Sequence, residues 1–295
     1  MPKLGGIPLV VAFLLGAFLT FRLFTIEPGS ADAHLLTGVV IGVVFVFIGG
    51  LLDDYFDLPW WGQYAVQIIA TIIAISNNII FEAITNPING QLVNMNTLLP
   101  ALVVPLITLL WISGMMNTVN WLDGLDGLAT GVGIIAALLF AWHSYNLGQT
   151  AVAAFPLALA GALLGFIPFN FSPARIFLGS AGAYFIGFSL ATLALITPAK
   201  IATALLVMAI PILDVAWQIF DRIRRGQSPF RGDRGHLHFR LSDGGLPTPT
   251  IVTGYYLASA LFGLVAIFAP GLWKLILLLA VSVIVLGSLR WLSSR

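Results

Sequence analysis

The sequence predicts an all-α fold, a polytopic integral membrane bundle of about ten transmembrane helices. Three observations predict it. Of 295 residues, 59% are hydrophobic and only 8% are charged, with a mean hydropathy of +1.00; a soluble domain carries about 25% charged residues. Apolar stretches of about 20 residues, the length that crosses a bilayer, recur along the whole chain. The connectors between them are mostly short, with no low-complexity linker and no soluble insertion, so residues 1–295 form one membrane domain. Cysteine is absent, which excludes disulfides, thiol nucleophiles and thiolate-held metals.

The first span covers 7–25, and MPKLGG before it lacks the basic flank and cleavage site of a signal peptide. The second, 35–52, runs into the acidic pair Asp53-Asp54, and the third covers 63–81. Between about 77 and 97 the turn signals Asn86-Pro87 and Asn89-Gly90 predict a small hairpin. The remaining spans are 99–117, 129–146, 150–168, 181–198, 201–221, 249–269 and 271–291. Glycines such as Gly161 and Gly165 suit close packing of membrane helices.

Ten spans put both termini on one side, and that side holds ten of the thirteen Lys and Arg residues. The positive-inside rule makes it the cytoplasm, in a multi-pass protein of the inner (plasma) membrane. Nine of the twelve acids fall at the same face or just within it. Ionisable groups at a membrane edge are costly unless they bind something.

Four stations carry this polar chemistry. The first is Asp53-Asp54 in GGLLDDYFDLPW. Adjacent carboxylates repel, and a hard cation such as Mg²⁺ would relieve them; the plain alternative is a helix cap. The second is NTVNWLDGLDGL. Asn117 and Asn120 are three apart and share a helix face. Asp123-Gly and Asp126-Gly are loop chemistry that ends the helix, so the acids need not share that face. The third is FNFSPARIFLGSAG, with Arg175 as its one cation and a Gly-rich turn whose backbone N–H groups could receive an anion. Tight packing by small residues explains that turn equally well.

The fourth station is the long segment from Asp221 to Thr248, which holds SPFRGDRGHLHFRLSDGG. His236 and His238 among Arg234 and Arg240 suit phosphates, and with no Cys and remote acids a zinc site is disfavoured. Asp214 lies inside a span and should face the bundle interior. Four such stations on one face point to metal-assisted phosphate chemistry. A transporter is disfavoured because nearly all the charge sits at one face, with Asp214 deep within a span.

GGLLDDYFDL, NTVNWLDGLDGLATG, FNFSPARIFLGSAG and DRGHLHFRL, in this order and spacing, resemble the polyprenyl-phosphate N-acetylhexosamine-1-phosphate transferase family, glycosyltransferase family 4. The resemblance runs over nearly the whole chain. It implies transfer of a HexNAc-1-phosphate from a UDP-HexNAc to a polyprenyl (undecaprenyl) phosphate with release of UMP, for cell-wall or surface-glycan synthesis. It also implies Mg²⁺ (or Mn²⁺), a cytoplasmic active site, a lipid-facing groove, no nucleic-acid partner and a homodimer.

Carried over by motif, Asp53, Asp54, His236 and His238 are the catalytic residues. Asn117, Asn120, Asp123, Asp126, Arg175, Arg234 and Arg240 are substrate-binding. Asp53, Asp54, Asp126 and position 180 are the metal ligands. The GDRGHLHFRL loop is more similar to the UDP-GlcNAc branch than to the UDP-MurNAc-pentapeptide branch. The sequence departs from the family pattern at three places. Ser180 stands where the family carries Asp, Phe239 replaces a second histidine, and the chain begins at PKLGG, within the family's first cytoplasmic loop. A homologue that binds nucleotide-sugar or lipid phosphate without turning it over is therefore the alternative.

Overall fold

The computed structural model describes residues 2–24, 26–27, 29–196, 199–228 and 234–293. In chain order it contains α1 (Gly6–Leu23), α2 (Ala31–Phe56), α3 (Trp60–Ser76), β1 (Ala83–Thr85), β2 (Leu92–Asn94), α4 (Met95–Leu98), α5 (Val103–Leu122) and α6 (Leu128–Asn146). There follow α7 (Thr150–Asn170), α8 (Gly179–Leu195), α9 (Ala199–Val207), α10 (Ala209–Arg224), α11 (Leu237–Asp243), α12 (Thr248–Phe268) and α13 (Gly271–Ser293).

Seven of these helices are long and apolar enough to cross a membrane: α1, α2, α5, α6, α7, α12 and α13. α8 is equally apolar but has 17 residues. The protein is thus a polytopic all-α membrane protein, and each of the ten predicted segments falls on a helix or a helix pair. The predicted hairpin is present: β1 and β2 pair antiparallel with Ile84 opposite Val93.

The eighth predicted span, 201–221, is not one helix. Ile201–Val207 and Ala209–Arg224 meet at 75°. Met208 leaves helical geometry at φ −95°, ψ 13°, and Pro211 has no N–H to offer the carbonyl four residues back. α10 is therefore turned away from α9. It buries Asp214, Gln218, Asp221 and Arg222 and exposes Phe220 and Ile223.

α8 is the hub of the bundle, and every residue from Ala181 to Leu195 is buried. It packs between α2 and α5, and small residues permit the approach. A Cβ on Gly50 of α2 would run into Ala181 Cα, and one on Gly187 would lie 2.6 Å from Met116 Cα of α5. This packing delivers the ends of α2, α5 and α7 and the start of α8 to one place. Small residues of α1 and α7, among them Gly16, Ala158 and Ala162, border an apolar groove of about 620 Å³.

Candidate active site

A cavity of about 400 Å³ lies where these helix ends converge, lined by Lys3, Asp54, Asn120, Asp123, Gly124, Leu125, Asp126, Asn170, Phe177, Gly179 and Ser180. The first three sequence stations all contribute to it. α5 stops at Leu122, Asp123 caps it, and Gly127 at φ +83° starts α6. The DGLDG turn is thereby held open as one wall. Asp126 Oδ2 accepts the Ala174 N–H at 3.0 Å, which ties that turn to the SPAR loop.

The two adjacent aspartates do different things. Asp54 lines the cavity, and its oxygens accept the N–H groups of Ser180 (2.9 Å) and Ala181 (3.0 Å). The free amides at the start of α8 that the sequence offered to an anion are therefore occupied by the protein's own carboxylate. Asp53 is buried behind the cavity. It accepts from the Leu58 N–H and Gln63 Nε2, both at 3.1 Å, and from Tyr184 Oη at 3.4 Å.

The two amides also part. Asn120 lines the cavity. Asn117 is buried in a reciprocal amide pair with Gln67 of α3, at 2.9 and 3.1 Å, and its Nδ2 donates to Tyr64 Oη at 3.4 Å. Sharing a face with Asn120 does not bring Asn117 to the cavity, because a polar partner on α3 holds it.

Asp123 is only half-buried as a residue, yet its carboxyl is held well above the ordinary carboxylate range. Desolvation is the main cause, and the charges of Asp54 and Asp126 add to it. Among the described residues no three acidic or histidine side chains close on a common point. The carboxylates line a space and do not form a cage. That donor chemistry fits a hard divalent cation, which keeps water and substrate oxygens among its ligands. Ser180 adds a neutral hydroxyl to the same wall.

The histidine station stands beside the cavity. Asp214, in the interior as its depth requires, accepts from the Leu237 N–H at 3.0 Å and meets His236 Nδ1 at 2.9 Å. The His236 and His238 rings stack 5.7 Å apart at 12°, and the Trp121 ring lies 5.6 Å from that of His236 at a tilt of 41°. His238 is 1% exposed, and among the described residues neither ring nitrogen meets a hydrogen-bond partner. It abuts Gly124, where a Cβ would lie within 2.5 Å of Phe239 as well as crowding His238 Nε2.

Burial pushes the His238 imidazole down to about 4. Above pH 6.5 the folded and unfolded chains both carry it neutral. As the pH falls from there toward 4, only the unfolded chain gains the proton, so stability is lost across that window, by up to about 3 kcal/mol. His238→Gln should flatten the fall of the melting temperature between pH 7 and 4.5, measured in detergent; an unchanged fall would show that His238 already titrates freely.

The arginines expected to bind substrate lie elsewhere. Arg175 is exposed and outside the cavity. Arg234 pairs with Asp243 at 2.7 Å and lies over the Phe239 ring. Arg240 Nε donates to the Gly235 carbonyl and so braces its own loop. Arg231 and Asp233 of the same station lie outside the described residues. Lys3, Asn170 and Phe177 line the cavity without having been singled out from the sequence. Asn170 and Phe177 sit inside the third motif, and Lys3 is one of the ten cations on the side of the termini.

The model of glycosyl transferase family 4 matches residues 36–198, more than half of the chain. The chain belongs to that family. It is 28% identical over 273 residues, 90% of its length and 73% of the relative's, to a Bacillus subtilis protein named as a probable undecaprenyl-phosphate N-acetylglucosaminyl 1-phosphate transferase. It is 31% identical to the decaprenyl-phosphate N-acetylglucosaminephosphotransferase of Mycobacterium tuberculosis, over 81% of this chain and 65% of that relative. It is also 30% identical to the phospho-N-acetylmuramoyl-pentapeptide-transferase of Staphylococcus aureus, over 92% of this chain and 84% of the relative. The chain thus spans about two thirds to four fifths of these family members.

Proposed function

We propose that this family 4 member transfers a HexNAc-1-phosphate, GlcNAc-1-phosphate in the first instance, from its UDP-sugar to a polyprenyl phosphate at the cytoplasmic face of the inner membrane. The observation that carries this reading is the cavity itself. Asp54, Asn120, Asp123, Asp126 and Ser180, drawn from three separate motifs, line one polar space at the ends of membrane helices. Relatives named as GlcNAc-1-phosphate transferases of undecaprenyl and decaprenyl phosphate support the substrate class.

In the reaction an oxygen of the lipid phosphate attacks the sugar-bearing phosphorus. The bond from that phosphorus to the bridging oxygen breaks, and UMP leaves. The protein's task is positioning and charge neutralisation. Asp54 is rigidly held by two N–H donors at the start of α8, and it is the carboxylate placed to orient or deprotonate the lipid phosphate. Asn120 and the DGLDG wall receive the nucleotide sugar. His236, held by Asp214, and the buried His238 stand behind Gly124, where they set the shape of that wall.

Asp54, Asp123 and Asp126 are the residues that would hold a Mg²⁺ ion, with Ser180 as a weaker oxygen. When bound, such a cation offsets the negative charge of the diphosphate and of departing UMP. The Staphylococcus relative keeps UDP-MurNAc-pentapeptide as a second donor to test. Purified protein given UDP-GlcNAc, polyprenyl phosphate and Mg²⁺ should release UMP only when all three are present.

A further inference from the structure

We propose that Lys3 is a substrate-positioning residue whose ammonium holds the diphosphate of the nucleotide sugar. The proposal rests on the transferase function above and adds to it a cation that the other described residues of its cavity wall do not supply. Three carboxylates face the cavity, and the diphosphate they must admit carries about two further negative charges. Among the described residues that line the space, Lys3 alone is basic. The arginines that the sequence offered for this purpose are exposed or committed to other partners.

The segment that carries Lys3 is built into the wall. Phe177 N–H donates to the Pro2 carbonyl at 3.2 Å, and Gly5 N–H donates to the Phe177 carbonyl at 3.0 Å. Gly5 and Gly6 admit no side chain. A Cβ on Gly5 would lie 2.7 Å from the Phe177 carbonyl oxygen, and one on Gly6 would lie 2.7 Å from the Gly182 backbone nitrogen. The backbone on both sides of Lys3 is thus clamped against the loop leading into α8 and α8 itself. Its side chain is exposed at the rim, close enough to Asp54 for the two charges to interact. An ammonium on a flexible stem is a point charge with three donors, suited to a phosphate group whose oxygens shift during transfer.

The alternative is that Lys3 only offsets the charge of Asp54. The two differ in what a substitution changes. Full-length protein, purified in detergent, is assayed for UMP release and titrated separately with UDP and with uridine. Lys3→Met should raise KM for UDP-GlcNAc and weaken UDP binding by about tenfold or more, the scale of a lost charge-assisted hydrogen bond. Uridine binding, KM for polyprenyl phosphate and melting temperature should hold steady, and Lys3→Arg should restore most of the UDP affinity. Unchanged UDP binding in Lys3→Met would overturn the proposal, as would an equal loss for UDP and uridine. If wild-type protein binds UDP but releases no UMP, the transferase function fails, while the UDP-against-uridine comparison still decides the role of Lys3.

Discussion

Asp54→Asn should lower UMP release by about three orders of magnitude, within the range for loss of a positioned acid–base group, and leave UDP-sugar binding within a few fold. The amide keeps one oxygen to accept an N–H from Ser180 or Ala181, so the start of α8 remains capped and the fold survives. What disappears is the carboxylate proposed to face the lipid phosphate. Asp53→Asn should behave differently. Its carboxylate holds Leu58, Gln63 and Tyr184 in a buried turn, so the substitution should cost about 1–3 kcal/mol of stability and act on turnover only through that loss. Thermal melts and UMP-release assays on both variants separate the roles. Equal and mild effects at the two positions would remove Asp54 from the chemistry.

Ser180→Asp should lower the Mg²⁺ concentration for half-maximal activity by about tenfold, the lower end of effects from altered metal-site partners. Ser180 already lies on the cavity wall, and its backbone N–H is fixed by Asp54, so a carboxylate placed there needs no backbone shift. A fourth acid beside Asp54, Asp123 and Asp126 also adds repulsion when no cation is present. The variant should therefore melt lower than wild type in chelator and gain more from added Mg²⁺. Ser180→Ala, which removes only a neutral hydroxyl, should change both readouts little. An unchanged Mg²⁺ requirement in Ser180→Asp would show that position 180 does not face the ion.

The architecture was legible in the sequence because hydropathy reports directly on helices that must satisfy their own backbone in lipid. The hairpin followed from Asn-Pro and Asn-Gly turn chemistry. The bend at Met208 was not legible: a hydropathy window averages across it, and Pro211 marks a break only once the helix is known to turn there. Within the site, the motifs were visible but their division of labour was not. Asp53 and Asp54 are neighbours on one helix, and only Gln63, Tyr184 and the start of α8 decide which of them faces the cavity. Asn117 and Asn120 share a helical face, yet Gln67, fifty residues earlier, claims the first. The amides of the Gly-rich turn looked free because the sequence does not show that Asp54 reaches them. Lys3 carries no local signal of a site, since nothing near it in the sequence announces the loop around Phe177 that its segment pairs with.

The most direct test of the account is UMP release by the purified chain supplied with polyprenyl phosphate and Mg²⁺, compared across UDP-GlcNAc, UDP-GalNAc and UDP-MurNAc-pentapeptide. Release should need both the lipid phosphate and the cation, be fastest with UDP-GlcNAc, and be lost in Asp54→Asn. Binding of UDP-GlcNAc without UMP release from any of the three donors would contradict it and leave a nucleotide-sugar-binding protein that performs no transfer.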